Sequence, residues 1–147
     1  MPHQWFVFDE AHSGALSCYD ISMNTPSAIS HECPLCPQNN LLIEPIIAQT
    51  PDAYLIKAYS NPGNYLIIPT AHIESLETLP PNWWKSVSTL LPQVPHGQSY
   101  NMSINIGSDA GQTVRHIHFW IIPREAGKPS SSKGLARLIS EADASTS

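Results

Sequence analysis

The sequence predicts a single α+β domain, with an antiparallel sheet of about five strands, one main helix and a second helix near the C-terminus. Three observations carry this expectation. A chain of 147 residues fits one compact core. Short apolar runs alternate with turn signals from the Cys33 region onward. One longer stretch carries apolar residues at helical spacing.

Residues 1–30 mix aromatics with Ser, Asn, His and Pro without a sustained period, so they read as an irregular N-terminal arm, with one short strand near residues 5–8. The domain proper is expected over 31–140. Residues 46–48 and 54–59 read as strands joined by Thr50-Pro51-Asp52, and Asn61-Pro62-Gly63-Asn64 turns into a third strand, 65–68, stopped by Pro69. Leu76, Leu79, Trp83, Trp84, Val87, Leu90 and Leu91 give helical spacing broken by Pro80-Pro81. A short turn followed by a helix over 82–91 is the expected result, with both tryptophans in the core. Residues 100–106 alternate polar and apolar, residues 107–111 form a Gly-bounded hairpin loop, and a strand over 113–122 is stopped by Pro123. A last helix is expected over 134–140, and a disordered tail of small residues over 141–147.

Composition narrows function. A formal charge of −5 with only seven Lys and Arg excludes a broad basic footprint for duplex nucleic acid, while a single phosphate can be held without a basic surface. The apolar start Trp5-Phe6-Val7-Phe8 is cut by Asp9 and Glu10 and lacks a basic lead-in. No secretory signal and no membrane partner are expected, and the compartment is read as cytoplasmic and reducing. Of three cysteines, two sit in Cys33-Pro34-Leu35-Cys36, a spacing that serves a metal site, a redox pair or a disulfide. Cys18 is left over.

Along an extended Arg115-His116-Ile117-His118-Phe119-Trp120 segment, His116, His118 and Trp120 would project to one face about 7 Å apart, with Ile117 and Phe119 on the other. One imidazole can then fix structure while its neighbour does chemistry.

The run from Gly111-Gln112-Thr113 to His116-Ile117-His118-Phe119-Trp120 resembles the signature of the histidine triad family, in which three histidines alternate with apolar residues after a Gly-Gln-Ser/Thr lead-in. Tyr65 to His72 resembles the family's strand, Pro and His element, and Asn105-Ile106-Gly107 resembles its Asn-x-Gly turn. The third triad position is Trp120 rather than His. The resemblance implies a sheet extended across a homodimer, with hydrolysis or transfer of a nucleotide through a nucleotidyl-histidine. Dinucleoside polyphosphates and nucleoside phosphoramidates are the substrates it suggests, and a catalytically weak nucleotide-binding module is the other reading. His118 would be the nucleophile, with its Nδ1–H held by a backbone carbonyl, and Trp120 would stand at the leaving-group side. Asn105 and Thr113 would orient the nucleotide, and Gln112 would hold phosphate oxygens. Zinc-containing relatives imply Cys33, Cys36, His72 and His116 as ligands of one structural zinc, with His31 and Cys18 as competitors. His3, His12 and His96 read as surface residues.

Overall fold

The computed structural model describes residues 32–95 and 99–146. The expected N-terminal arm, together with Cys18, His3, His12, His31 and His96, lies outside the described residues. Five strands, β1 (Ala48–Gln49), β2 (Ala53–Lys57), β3 (Tyr65–Pro69), β4 (Tyr100–Ile104) and β5 (Phe119–Pro123), form one sheet in the order β1-β2-β3-β5-β4. Every pairing is antiparallel. Helix α1 is Trp83–Leu90 and α2 is Leu135–Ser145.

β2 and β3 are buried along nearly their whole length because both faces of the sheet are covered. On one face Leu55, Ile67, Phe119 and Ile121 pack with Trp83, Val87 and Leu90 of α1. On the other, Tyr54, Ile56, Leu66 and Ile68 meet Leu35, Leu42 and Trp120. The CxxC segment therefore lies over the face opposite the helix, where its Leu35 packs in the same cluster as Trp120.

β2 starts one residue earlier and ends two residues earlier than the expected 54–59, and the structure departs from the expected elements in four further places. β1 falls at Ala48–Gln49, later than the expected 46–48. The strand expected over 113–122 is shorter, and β5 begins only at Phe119. Continuing its ladder would set residue 117 opposite Pro69, which has no N–H to give. The Ile117 N–H donates instead to the Ile73 carbonyl at 2.7 Å. The alternation still holds across the irregular part, since Ile117 and Phe119 are in the core beneath α1 while Trp120 packs on the opposite face. Trp84, expected in the core beside Trp83, is 60% exposed and meets Phe119 only edge-on, because consecutive helical positions point about 100° apart. Finally, α2 runs through Ser145, beyond the expected end at Ser140 and into the tail expected to be disordered.

No residue of α2 is buried. Its approach is fixed by Arg124, whose guanidinium donates to Asn101 Oδ1 and to the carbonyls of Ser130 and Lys133. Lys133 and Arg137 both pair with Glu141, which holds that carboxyl below the usual range.

Candidate functional site

Three segments far apart in sequence meet beside the end of β3. The CxxC turn is closed by the Cys36 N–H donating to the Cys33 carbonyl at 3.2 Å, and Asn39 Nδ2 donates to the same carbonyl at 2.8 Å. Tyr54 pins the turn from below, its hydroxyl donating to the Leu35 carbonyl at 2.5 Å. Burial raises the Tyr54 pKa, so the group stays a neutral donor.

Against this turn stand His72, just past β3, and His116, just before β5. One donor atom from each of Cys33, Cys36, His72 and His116 lies within 4.8 Å of all the others. Cys33 Sγ is 3.5 Å and Cys36 Sγ 3.7 Å from His116 Nδ1, and Cys36 Sγ is 3.4 Å from His72 Nδ1. A tetrahedral ion with sulfur at about 2.3 Å and nitrogen at about 2.1 Å sets sulfur and nitrogen about 3.6 Å apart. The four residues thus fit a four-coordinate metal. The far nitrogens agree: His116 Nε2 is 2.9 Å from the Pro69 carbonyl and His72 Nε2 is 3.2 Å from Glu74 Oε1. Each Nε2 then carries the proton, which turns a lone pair on Nδ1 toward the centre. Glu74 is itself held by Arg115 at 3.1 Å. Burial pushes the Cys33 thiol up to about 11, and burial with the neighbouring His72 pushes His116 down to about 4. Without a cation, the pocket favours neutral side chains. Both cysteines are free thiols.

His118 is buried, and its Nδ1 lies 2.8 Å from the carbonyl oxygen of His116. Donation from Nδ1–H leaves Nε2 as the uncommitted nitrogen. The ring lines a cleft of about 170 Å³ together with Thr113, Trp120 and apolar groups that include Leu35, Leu42, Ile56 and Leu66. Trp120 stands edge-on to His118 with ring centroids 6.0 Å apart, and its Nε1 is buried without a partner among the described residues.

The residues named from sequence divide into three groups. Cys33, Cys36, His72 and His116 come together in the cluster, and His118, Thr113 and Trp120 in the cleft. Asn105 lies on the far side of Trp120, lining a second cleft with Asn61, Asn64 and Ser103. Gln112 is not brought to the cleft as a free donor. Its Oε1 accepts from the Gly107 N–H at 2.9 Å and its Nε2 donates to the Val114 carbonyl at 3.1 Å, closing the loop between β4 and β5. That loop turns on Gly107 and Gly111, both at positive φ (86° and 83°), where other residues are strained. Tyr54 and Glu74 were not found from sequence. Glu74 left a faint trace, since a carboxylate two residues after a metal-type His is placed to reach its ring.

A larger cleft of about 630 Å³ lies between β4, the residues after β5 and the start of α2. It is remote from the histidines, and its Arg124 is committed to holding the chain.

The HIT domain profile matches residues 46–127. The chain is 34% identical over 70 residues to the Arabidopsis thaliana protein named adenylylsulfatase HINT3, a match covering 43% of this chain and 36% of that protein. It is 35% identical over 71 residues to the asymmetrical bis(5'-nucleosyl)-tetraphosphatase of Schizosaccharomyces pombe, covering 44% and 39%. The matched stretches span under two fifths of the length of these relatives. Among solved structures, a zinc-bound histidine triad family protein from Mycobacterium smegmatis superposes with a TM-score of 0.56 at 23% identity, covering 78% of this chain and 97% of that one. A HIT family protein from Bacillus anthracis gives 0.55 at 19%, covering 80% and 97%. These two likenesses bear on the fold. The profile match extends over more than half of the sequence, and on that ground the chain belongs to the HIT domain family.

Proposed function

We propose that this protein is a nucleotide hydrolase or nucleotidyl transferase in which His118 Nε2 attacks the α-phosphorus of a nucleotide. Its substrate is a nucleoside monophosphate joined through phosphorus to a leaving group, the class that contains dinucleoside polyphosphates and nucleoside phosphoramidates. The observation that carries this reading is the 2.8 Å contact between His118 Nδ1 and the His116 carbonyl, on a ring that lines a cleft. A backbone acceptor on Nδ1 fixes the tautomer in which Nε2 is the nucleophile. The Nε2–P bond forms as the bond from phosphorus to the leaving group breaks. Water then attacks phosphorus, breaks the N–P bond and releases the nucleoside monophosphate. The apolar wall of the cleft suits a base, and Thr113 and Asn105 supply neutral donors for sugar or phosphate oxygens.

Zinc is the ion we assign to Cys33, Cys36, His72 and His116, on the donor set and its tetrahedral spacing. All four protein ligands are supplied, so the ion serves structure, and the reaction at phosphorus is assigned to His118. β4 is an edge strand of the sheet, which supports a homodimer in which the sheet continues into a second copy. We place the protein in the cytoplasm, where the two thiols stay reduced. Among the described residues no helix is long and apolar enough to cross a membrane.

Trp120 favours a second reading, a nucleotide-binding module without turnover, because an indole cannot move a proton. Rapid-quench intact-mass analysis separates the two. Incubation with diadenosine tetraphosphate or adenosine phosphoramidate should add one adenylyl group, and His118→Ala should abolish it. Nucleotide retention with no adduct from either compound establishes the module instead.

A further inference from the structure

Helix α1 carries three hydroxyl side chains, and one of them behaves unlike the others. Ser88 Oγ donates to the Trp84 carbonyl at 2.8 Å and Thr89 Oγ1 to the Lys85 carbonyl at 2.9 Å, the usual bond of a helical hydroxyl to the residue four before it. Ser86 makes no such bond. It is 5% exposed, and its hydroxyl has no partner among the described residues. Polar groups this deeply buried are normally satisfied, so the hydroxyl calls for a partner from outside the chain.

Ser86 lines a cleft of about 430 Å³ between α1 and the turn that joins β1 to β2. Helix α1 covers the sheet face opposite the one on which Trp120 packs, and this cleft shares no lining residue with the cleft of His118. Asn82, Lys85, Ser86 and Thr89 recur every three or four positions and form one stripe of the helix. Gln49, at the end of β1, and Asp52, in the turn, complete the polar lining.

The charges in this cleft are opposite and uncommitted. Of the seven basic residues of the chain, Arg115, Arg124, Lys128, Lys133 and Arg137 are already bonded. Lys85 has no ion pair among the described residues, and the Asp52 carboxylate has none either, although both line this one cleft. The space between them is open to a molecule that carries both signs of charge. The first turn of α1 adds further donors. The Trp83 N–H goes to the Pro80 carbonyl at 2.9 Å and the Ser86 N–H to the Asn82 carbonyl at 3.1 Å, while the Asn82 side chain makes no capping bond. The N–H groups of Trp84 and Lys85 have no acceptor among the described residues and are left for an oxyanion.

We propose that this cleft binds a free α-amino acid as its zwitterion. The Lys85 ammonium, the Ser86 hydroxyl and the open N–H groups of the first turn hold the carboxylate. Asp52 holds the ammonium. A simple anion would be repelled by Asp52 and a simple cation by Lys85, whereas a zwitterion satisfies both. The volume leaves room for a side chain beyond the two charged groups. The site stands apart from the reading of His118 and does not depend on it.

The test is isothermal titration calorimetry on the full chain with each of the standard L-amino acids in turn, and with acetate, methylammonium and inorganic phosphate as probes of one sign. At least one amino acid should bind with Kd on the order of 10⁻⁴ M, with every single-sign probe weaker by about tenfold or more. Lys85→Met and Asp52→Asn should each weaken that amino acid by about tenfold or more, and Ser86→Ala by about threefold to tenfold. Lys85 is exposed, so its variant keeps the fold even where the change at buried Ser86 disturbs the helix. Acetate or phosphate binding as tightly as the best amino acid, with no loss in Asp52→Asn, overturns the zwitterion. The site itself is overturned by the absence of amino-acid binding up to about 10 mM, or by an unchanged affinity in a folded Lys85→Met protein.

Discussion

His116 and His118 are two residues apart and both buried, yet the backbone holds their rings by opposite nitrogens. His116 has its Nε2 on the Pro69 carbonyl, so Nδ1 faces two thiols and a second imidazole. His118 has its Nδ1 on the carbonyl of His116, so Nε2 remains. The difference lies in which ring nitrogen the backbone occupies. In the Cys and His cluster every ring nitrogen has a partner; in the cleft His118 Nε2 has none among the described residues. The two regions are joined through His116, whose ring belongs to the cluster and whose carbonyl meets His118 Nδ1, and through the CxxC turn, whose Leu35 lines the cleft.

The sharpest break of this comparison is His118→Ala. We expect adenylyl-adduct formation to fall by about 10⁴-fold or more, with nucleotide affinity held within about threefold in equilibrium dialysis. A substantial residual adduct would show that another group attacks phosphorus. Next in size is Cys36→Ser, which should take zinc from about one per chain to near zero by plasma emission analysis and lower Tm by roughly 10 °C. Adduct formation should fall with it, since His116 then loses its anchor. A metal-free variant with a wild-type adduct rate would sever the link between the regions.

A smaller change, and a gain, is expected at Trp120. Trp120→His restores an ionisable donor beside His118, and single-turnover adduct formation from diadenosine tetraphosphate should rise by roughly ten- to a hundredfold. Equal rates in both proteins make Trp120 a spectator. The mildest test is Glu74→Ala, which removes the acceptor from His72 Nε2 and should weaken zinc about tenfold in competition with a chromophoric chelator. Unchanged affinity would mean that His72 needs no orienting partner.

The five strands and the main helix were legible in the sequence because each rests on a local sign, turn residues or an apolar period, while the four cluster residues were named through the resemblance to zinc-containing histidine triad relatives, with only Cys33-x-x-Cys36 offering a spacing of its own. What was not legible depends on neighbours distant in sequence. The late start of β5 follows from Pro69 on the adjoining strand, which cannot donate to the ladder. The exposure of Trp84 follows from how far α1 is rotated over Phe119, which an apolar pair such as Trp83-Trp84 does not specify. Gln112 has the composition of a phosphate ligand, yet the loop between two positive-φ glycines consumes both ends of its amide.

The cluster also has a consequence for the order of folding. Its Cys36 contacts reach across 36 positions to His72 and 80 to His116. These donors converge only once β3 and β5 have paired, so an ion held by them would close these long loops late in folding. Interactions absent from the transition state slow unfolding and leave the folding rate nearly untouched. Metal loading should therefore lengthen the lifetime of the native state, acting as a latch set after the chain has found its fold.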